Sequence, residues 1–225
     1  MDMISFTTFY IITMNAILAL ILVALLKASN KDKDADKRIV VKSITLFSTW
    51  LIIEGVLLNA SIIPNDISSV GLFILILIFV VISGMLLSPL IPKLVSLSQE
   101  FLLLPQAMRM FFGAGFIVEA AYGIIPLNYG VIDGVLHITT AFLASVLAIC
   151  IAQGYKANKA LLAVNLFGLL DIVVVAYGIA FFILKDIGIE HNVFFAVFFA
   201  APIFIWLHLI SLYKLYHENK HAKLL

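Results

Sequence analysis

The 225-residue chain is 64% hydrophobic and 12% charged, with a mean hydropathy of +1.17 and a net charge of +1. A soluble domain carries about 45–50% apolar residues, so this composition belongs to a membrane protein. Its apolar runs are continuous rather than alternating, which excludes a membrane β-barrel, and its near-neutral charge offers nucleic acid no basic footprint.

A membrane-crossing helix needs ~20 mostly apolar residues, and seven such runs use nearly the whole chain: 6–26, 39–63, 70–91, 106–125, 131–152, 160–184 and 193–213. The predicted fold is therefore all-α, a polytopic membrane helical bundle of seven transmembrane helices forming one membrane domain over 1–225. The first run follows Met1, Asp2 and Met3 with no basic leader and exceeds a secretory core in length, so it is expected to stay as an anchor. The stretch behind it interleaves Lys31, Asp32, Lys33, Asp34, Asp36 and Lys37 and reads as a solvated loop.

The second run carries Glu54 and Asn59 and is closed by Pro64; the third is closed by Pro89 and Pro92. Pro105 opens the fourth, which carries Arg109 and Glu119, and Pro126 closes it. The fifth holds Asp133 and His137, which are i and i+4 and so share a helix face, and the lone Cys150, read as a buried structural thiol. Asn165 and Asp171 lie in the sixth run and Pro202 and His208 in the seventh, where Pro202 is expected to free the carbonyl of Phe198.

Thirteen of the fourteen basic residues flank the first, third and fifth connections or the tail; only Lys185 falls on the other side. Cytoplasmic segments retain Lys and Arg, so the N-terminus is predicted outside and the C-terminus in the cytoplasm. Phe112-Gly113 is followed by Ala121-Tyr122-Gly123-Ile124 just as Phe167-Gly168 is followed by Ala176-Tyr177-Gly178-Ile179, which suggests a direct repeat of 106–152 and 160–213. Gly113, Gly115, Gly123, Gly168 and Gly178, with Ala141, Ala144, Ser145 and Ala148, form small-residue stripes suited to close packing within the bundle or in a homo-oligomer.

Ionisable groups inside a bilayer are costly and point to function. Counting ~1.5 Å per residue puts Glu54, Glu119, Asp133 and His137 in the outer third, with Asn15 level with them, where they are expected to share a pocket for protons or a cation. The same count brings Asp171 and His208 together near mid-depth as an expected hydrogen-bonded pair, and leaves Arg109 nearer the inner edge to snorkel. Arg109, Asn15 and Asn165 are read as structural polar groups. Lys214 stands too late in the last run for a retinal lysine, and His137 and His208 differ in depth by roughly 13 Å on the helix-rise count, which argues against shared haem or zinc.

Arg109-x3-Gly113, Gly123-x2-Pro126, Asp133-Gly134, Asn165-x2-Gly168-x2-Asp171 and Pro202-x5-His208 resemble the pattern of a group of uncharacterised bacterial multi-pass membrane proteins. The resemblance implies a bacterial inner membrane and no known activity. No cofactor is expected. The foremost expectation is a proton- or cation-linked transporter of a small solute, working in the lipid bilayer. A metal-dependent hydrolase using Asp133, His137 and Glu119, or a non-catalytic sensor or assembly partner, are the alternatives.

Overall fold

The structure, a computed structural model, describes residues 3–28, 33–59, 71–73, 76, 79–80, 83–84, 91–183 and 192–222. Among these residues there is no strand. In chain order the helices are α1 (Met3–Ala28), α2 (Lys33–Asn59), α3 (Ile91–Ser96), α4 (Gln99–Leu103), α5 (Arg109–Ala121), α6 (Leu127–Ala152), α7 (Asn158–Gly178), α8 (Val193–Phe195) and α9 (Ala201–Ala222). A 3-10 turn, Leu104–Met108, joins α4 to α5, and π-helical stretches, Ile179–Ile183 and Ala196–Ala200, continue α7 and join α8 to α9.

Among the described residues, six segments are long and apolar enough to cross a membrane: Phe6–Ala28, Val40–Leu58, Gln99–Ala121, Leu127–Ala152, Asn158–Gly178 and Val193–Glu218. They correspond to six of the seven predicted runs. The remaining run, 70–91, falls mostly outside the described residues.

One boundary differs in a way that moves the site. The fourth span begins at Gln99 and not after Pro105, because Pro105 sits inside the 3-10 turn, where the chain keeps its helical course and proline's missing N–H costs little. Arg109 thus lies near the middle of its span. The far end of α5 closes with a Schellman motif: Ile124 N–H donates to the Glu119 carbonyl and Gly123 N–H to that of Ala120. Gly123 takes φ +69°, which a side chain would resist, and Pro126 then starts α6.

α5 and α6 pack with almost no side chain between them. A Cβ on Gly113 would lie 2.6 Å from the Gly134 carbonyl oxygen, so this close approach requires glycine. α9 with its lead-in is the central post, 78% of its most apolar stretch being enclosed, against 11% for α2 at the periphery. Phe112, Phe116, Phe194, Phe198, Phe199 and Leu18 fill the main core. Phe9, Ile52, Leu127, Leu170 and Val173 point outward, an apolar exterior that suits lipid rather than water.

α1 and α9 run in the same direction. Asn192 donates to the Thr7 hydroxyl at one end of the bundle, while at the other Lys214 donates to the Leu97 carbonyl at the α3–α4 junction. Within the π-helical stretch before Pro202, the Phe198 carbonyl accepts a hydrogen bond from the Trp50 indole at 3.1 Å, so the group that the proline was expected to free has a partner.

Candidate functional site

Arg109, the first residue of α5, is fully buried and stands at the centre of a polar network. Its Nη2 donates to Asp171 Oδ2 at 2.5 Å, and its Nη1 donates to the Gly168 carbonyl at 3.1 Å. The Phe204 ring lies 5.5 Å from the guanidinium carbon, within cation–π range. Asp171 also accepts from Thr140 at 2.8 Å and lies 3.0 Å from His137 Nδ1. A carboxylate only accepts, so His137 Nδ1 carries the proton in that contact.

The tautomer of His208 follows from the same accounting. Asn165 Nδ2 donates to the Leu161 carbonyl and to Ser211 Oγ, which leaves Asn165 Oδ1 to accept from His208 Nδ1 at 2.9 Å. His208 Nε2 is then the free acceptor, 3.3 Å from Arg109 Nη1. Ser211 Oγ in turn donates to Gln99 Oε1 at 2.7 Å, and Gln99 Nε2 returns to the Ser211 carbonyl. Buried groups thus run without a break from His137 on α6 to Gln99 at the start of the fourth span.

The backbone makes room for this. A Cβ at Gly168 would lie 2.3 Å from His208 Nε2, so only glycine lets the imidazole reach the arginine here. Asn165, Gly168 and Asp171 are three residues apart along one face of α7, and Asp133, His137 and Thr140 follow a similar spacing on α6.

Several expectations are corrected. Asp171 and His208 are not bonded to each other: the guanidinium lies between them and serves both. His137 and His208 touch the same guanidinium, so the depth gap predicted between them does not keep them from one site. The count failed because α6 starts at Leu127 and the last span runs on to Glu218, which draws both histidines toward the middle. Arg109 does not snorkel.

The expected outer pocket divides into three. Asp133 Oδ1 lies 3.6 Å from His137 Nδ1, as their shared face requires. Glu119 is instead approached by Asn192 and Thr7, outside ordinary hydrogen-bond geometry, and Asn15 donates to the Phe195 carbonyl at 2.8 Å. Glu54 is buried on α2. Among the described residues, both carboxylate oxygens of Glu54, Glu119 and Asp133 lack a hydrogen-bond partner. The residues whose ligand atoms converge are Asp133, His137 and Asp171, all within 4.8 Å of one another; Glu119 is not among them.

Residues 67–216 match the family described as a domain of unknown function (DUF8737). The chain belongs to this family. No curated protein and no solved structure matches the chain. The residues that carried the resemblance to uncharacterised membrane proteins have physical work in this family member: Arg109, Asn165, Gly168, Asp171 and His208 build the network, and Gly113 and Gly134 bring α5 against α6.

Sequence reasoning missed Arg109 as the hub, and it missed Thr140, Ser211 and Gln99. The signal for the arginine was its spacing to Gly113 inside an apolar run, read against the wrong helix start. The three neutral residues carry no charge to mark them.

Proposed function

We propose that this chain is a seven-helix integral protein of a bacterial inner membrane, N-terminus outside, that moves a small solute or ion coupled to a proton or other cation. The seventh crossing is supported by order in the bundle. Phe73 meets Phe198 at 5.7 Å, whereas Gly84 lines a cavity with Leu26 and Trp206, so these two residues stand at different levels of the bundle. The orientation rests on the lysines and arginines gathered at the Lys214 end.

The observation that carries the transport reading is the charge imbalance at mid-membrane. Asp133 and Asp171 face one guanidinium, and Asp171 takes it. A buried carboxylate without a partner is costly, and a proton or cation drawn from outside the network removes that cost. Exchange of that ion, coupled to rearrangement around Arg109, is the elementary step of a coupled carrier.

Proteoliposomes with an internal pH dye, or with a fluorophore quenched by Mn²⁺, provide the test. Wild type is expected to pass protons or Mn²⁺, and Asp133→Asn, Asp171→Asn and His208→Ala to lose most of the flux. Flux that is absent in wild type or undiminished in all three variants overturns the reading. The hydrolase alternative, which joins Glu119 to Asp133 and His137, finds less support, because the group that converges with Asp133 and His137 is Asp171.

A further inference from the structure

We infer that Asp133, His137 and Asp171 form a binding site for one divalent first-row transition-metal ion, whose arrival displaces Arg109 from Asp171. The site follows from geometry, and its role as the coupling cation rests on the transport reading above. Two of its three ligand–ligand distances are already near what a metal needs: His137 Nδ1 lies 3.0 Å from Asp171 Oδ1 and 3.6 Å from Asp133 Oδ1. Ligands about 2.1 Å from a shared ion sit roughly 3.0–3.5 Å apart.

Acidic clusters are common without ions, but this one holds a buried carboxylate that makes no hydrogen bond. Asp133 is 1% exposed, and neither of its oxygens has a hydrogen-bond partner among the described residues. The Tyr129 hydroxyl, which donates to the Val175 carbonyl at 3.2 Å, approaches Asp133 only outside ordinary hydrogen-bond geometry. The donor set of one imidazole and two carboxylates, without thiolate, suits Mn²⁺, Fe²⁺ or Zn²⁺ rather than Cu⁺.

Ligation through Nδ1 moves the His137 proton to Nε2, so the hydrogen bond to Asp171 is exchanged for metal bonds with no net proton change at the ring. The guanidinium, with Nη2 3.3 Å from Nδ1, cannot stay beside a divalent ion. Its other amino group already meets His208 Nε2 and the Gly168 carbonyl, which is where the arginine retreats. Metal and arginine thus compete for Asp171, and the ion occupies the position that couples α5, α6, α7 and α9.

The test is Mn²⁺ binding to the full chain in detergent after chelator treatment, read by electron paramagnetic resonance and by the rise in melting temperature, with Zn²⁺ measured by elemental analysis and Mg²⁺ as a hard-cation control. One Mn²⁺ or Zn²⁺ per chain is expected, weakened about tenfold or more in Asp133→Asn and in His137→Gln. Asp133 has no hydrogen bond to lose, so its variant is expected to melt like wild type without metal, which separates lost binding from lost fold. Substoichiometric metal in wild type, or equal binding in Asp133→Asn, overturns the site. Proton flux without metal binding refutes the site and leaves the transport reading intact; metal binding without flux upholds the site and refutes transport.

Discussion

Two sets of buried polar groups lie in this bundle at similar depth of burial, and they differ in whether their bonds are made. Around Arg109, whose Nε alone of its three nitrogens lacks a partner, the side chains of Asp171, Thr140, His208, Asn165, Ser211 and Gln99 interlock through hydrogen bonds. Glu54, Glu119 and Asp133 are as well enclosed, yet their carboxylate oxygens have no hydrogen-bond partner among the described residues. The first set holds helices in register. The second set carries a cost that folding alone does not repay, and Asp133 is where the two meet.

The largest expected effect comes from breaking the hub. Arg109→Met leaves Asp171 buried without its cation and is expected to cost about 3–5 kcal/mol in denaturant unfolding in detergent. Replacing both partners, Arg109→Met with Asp171→Leu, is expected to recover much of that loss; a double variant no more stable than the single one would show that the pair is not the source of the effect. Next comes Gly168→Ala. Its methyl would lie 2.3 Å from His208 Nε2 and push the imidazole off the arginine, for a loss of about 1–3 kcal/mol. Asn165→Ala strips the acceptor from His208 Nδ1 and one donor from Ser211, with a similar cost of about 1–3 kcal/mol.

The unpartnered set is expected to behave in the opposite sense. Glu54→Gln and Asp133→Asn remove a buried acid that holds no hydrogen bond, so they are expected to unfold within about 1 kcal/mol of wild type or to be more stable. Melting curves of these variants beside Asn165→Ala sharpen the contrast directly. Losses in Glu54→Gln equal to those in Asn165→Ala would erase the distinction between the two regions.

Much of the bundle is legible in the residue string, because a bilayer demands apolar runs of fixed length and six of the predicted runs are helices of that kind. The chemistry-bearing residues are legible for the same reason. Ionisable groups are rare in such runs, so Asp133, His137, Asp171 and His208 stand out. Their pairing was not legible. It depends on where each helix starts, and the apolar run hides that: Pro105 looks like a beginning but lies within a turn that continues the helix from Gln99. That shift moves Arg109 from an expected edge to the centre. Thr140, Ser211 and Gln99 escaped because neutral polar residues are ordinary in membrane helices, although Asp133, His137 and Thr140 share one face in the sequence itself. Glu54 and Glu119 were grouped with Asp133 by depth alone, and depth does not say which way a helix turns.

Infrared difference spectroscopy on the reconstituted protein tests the central claim most directly, because it reads carboxylates as they gain or lose a cation. Adding Mn²⁺ is expected to shift a carboxylate band in wild type and in Glu54→Gln, and to leave that band absent from the difference spectrum of Asp133→Asn. A spectrum that the cation does not change, or a shift that persists in Asp133→Asn, would contradict the account.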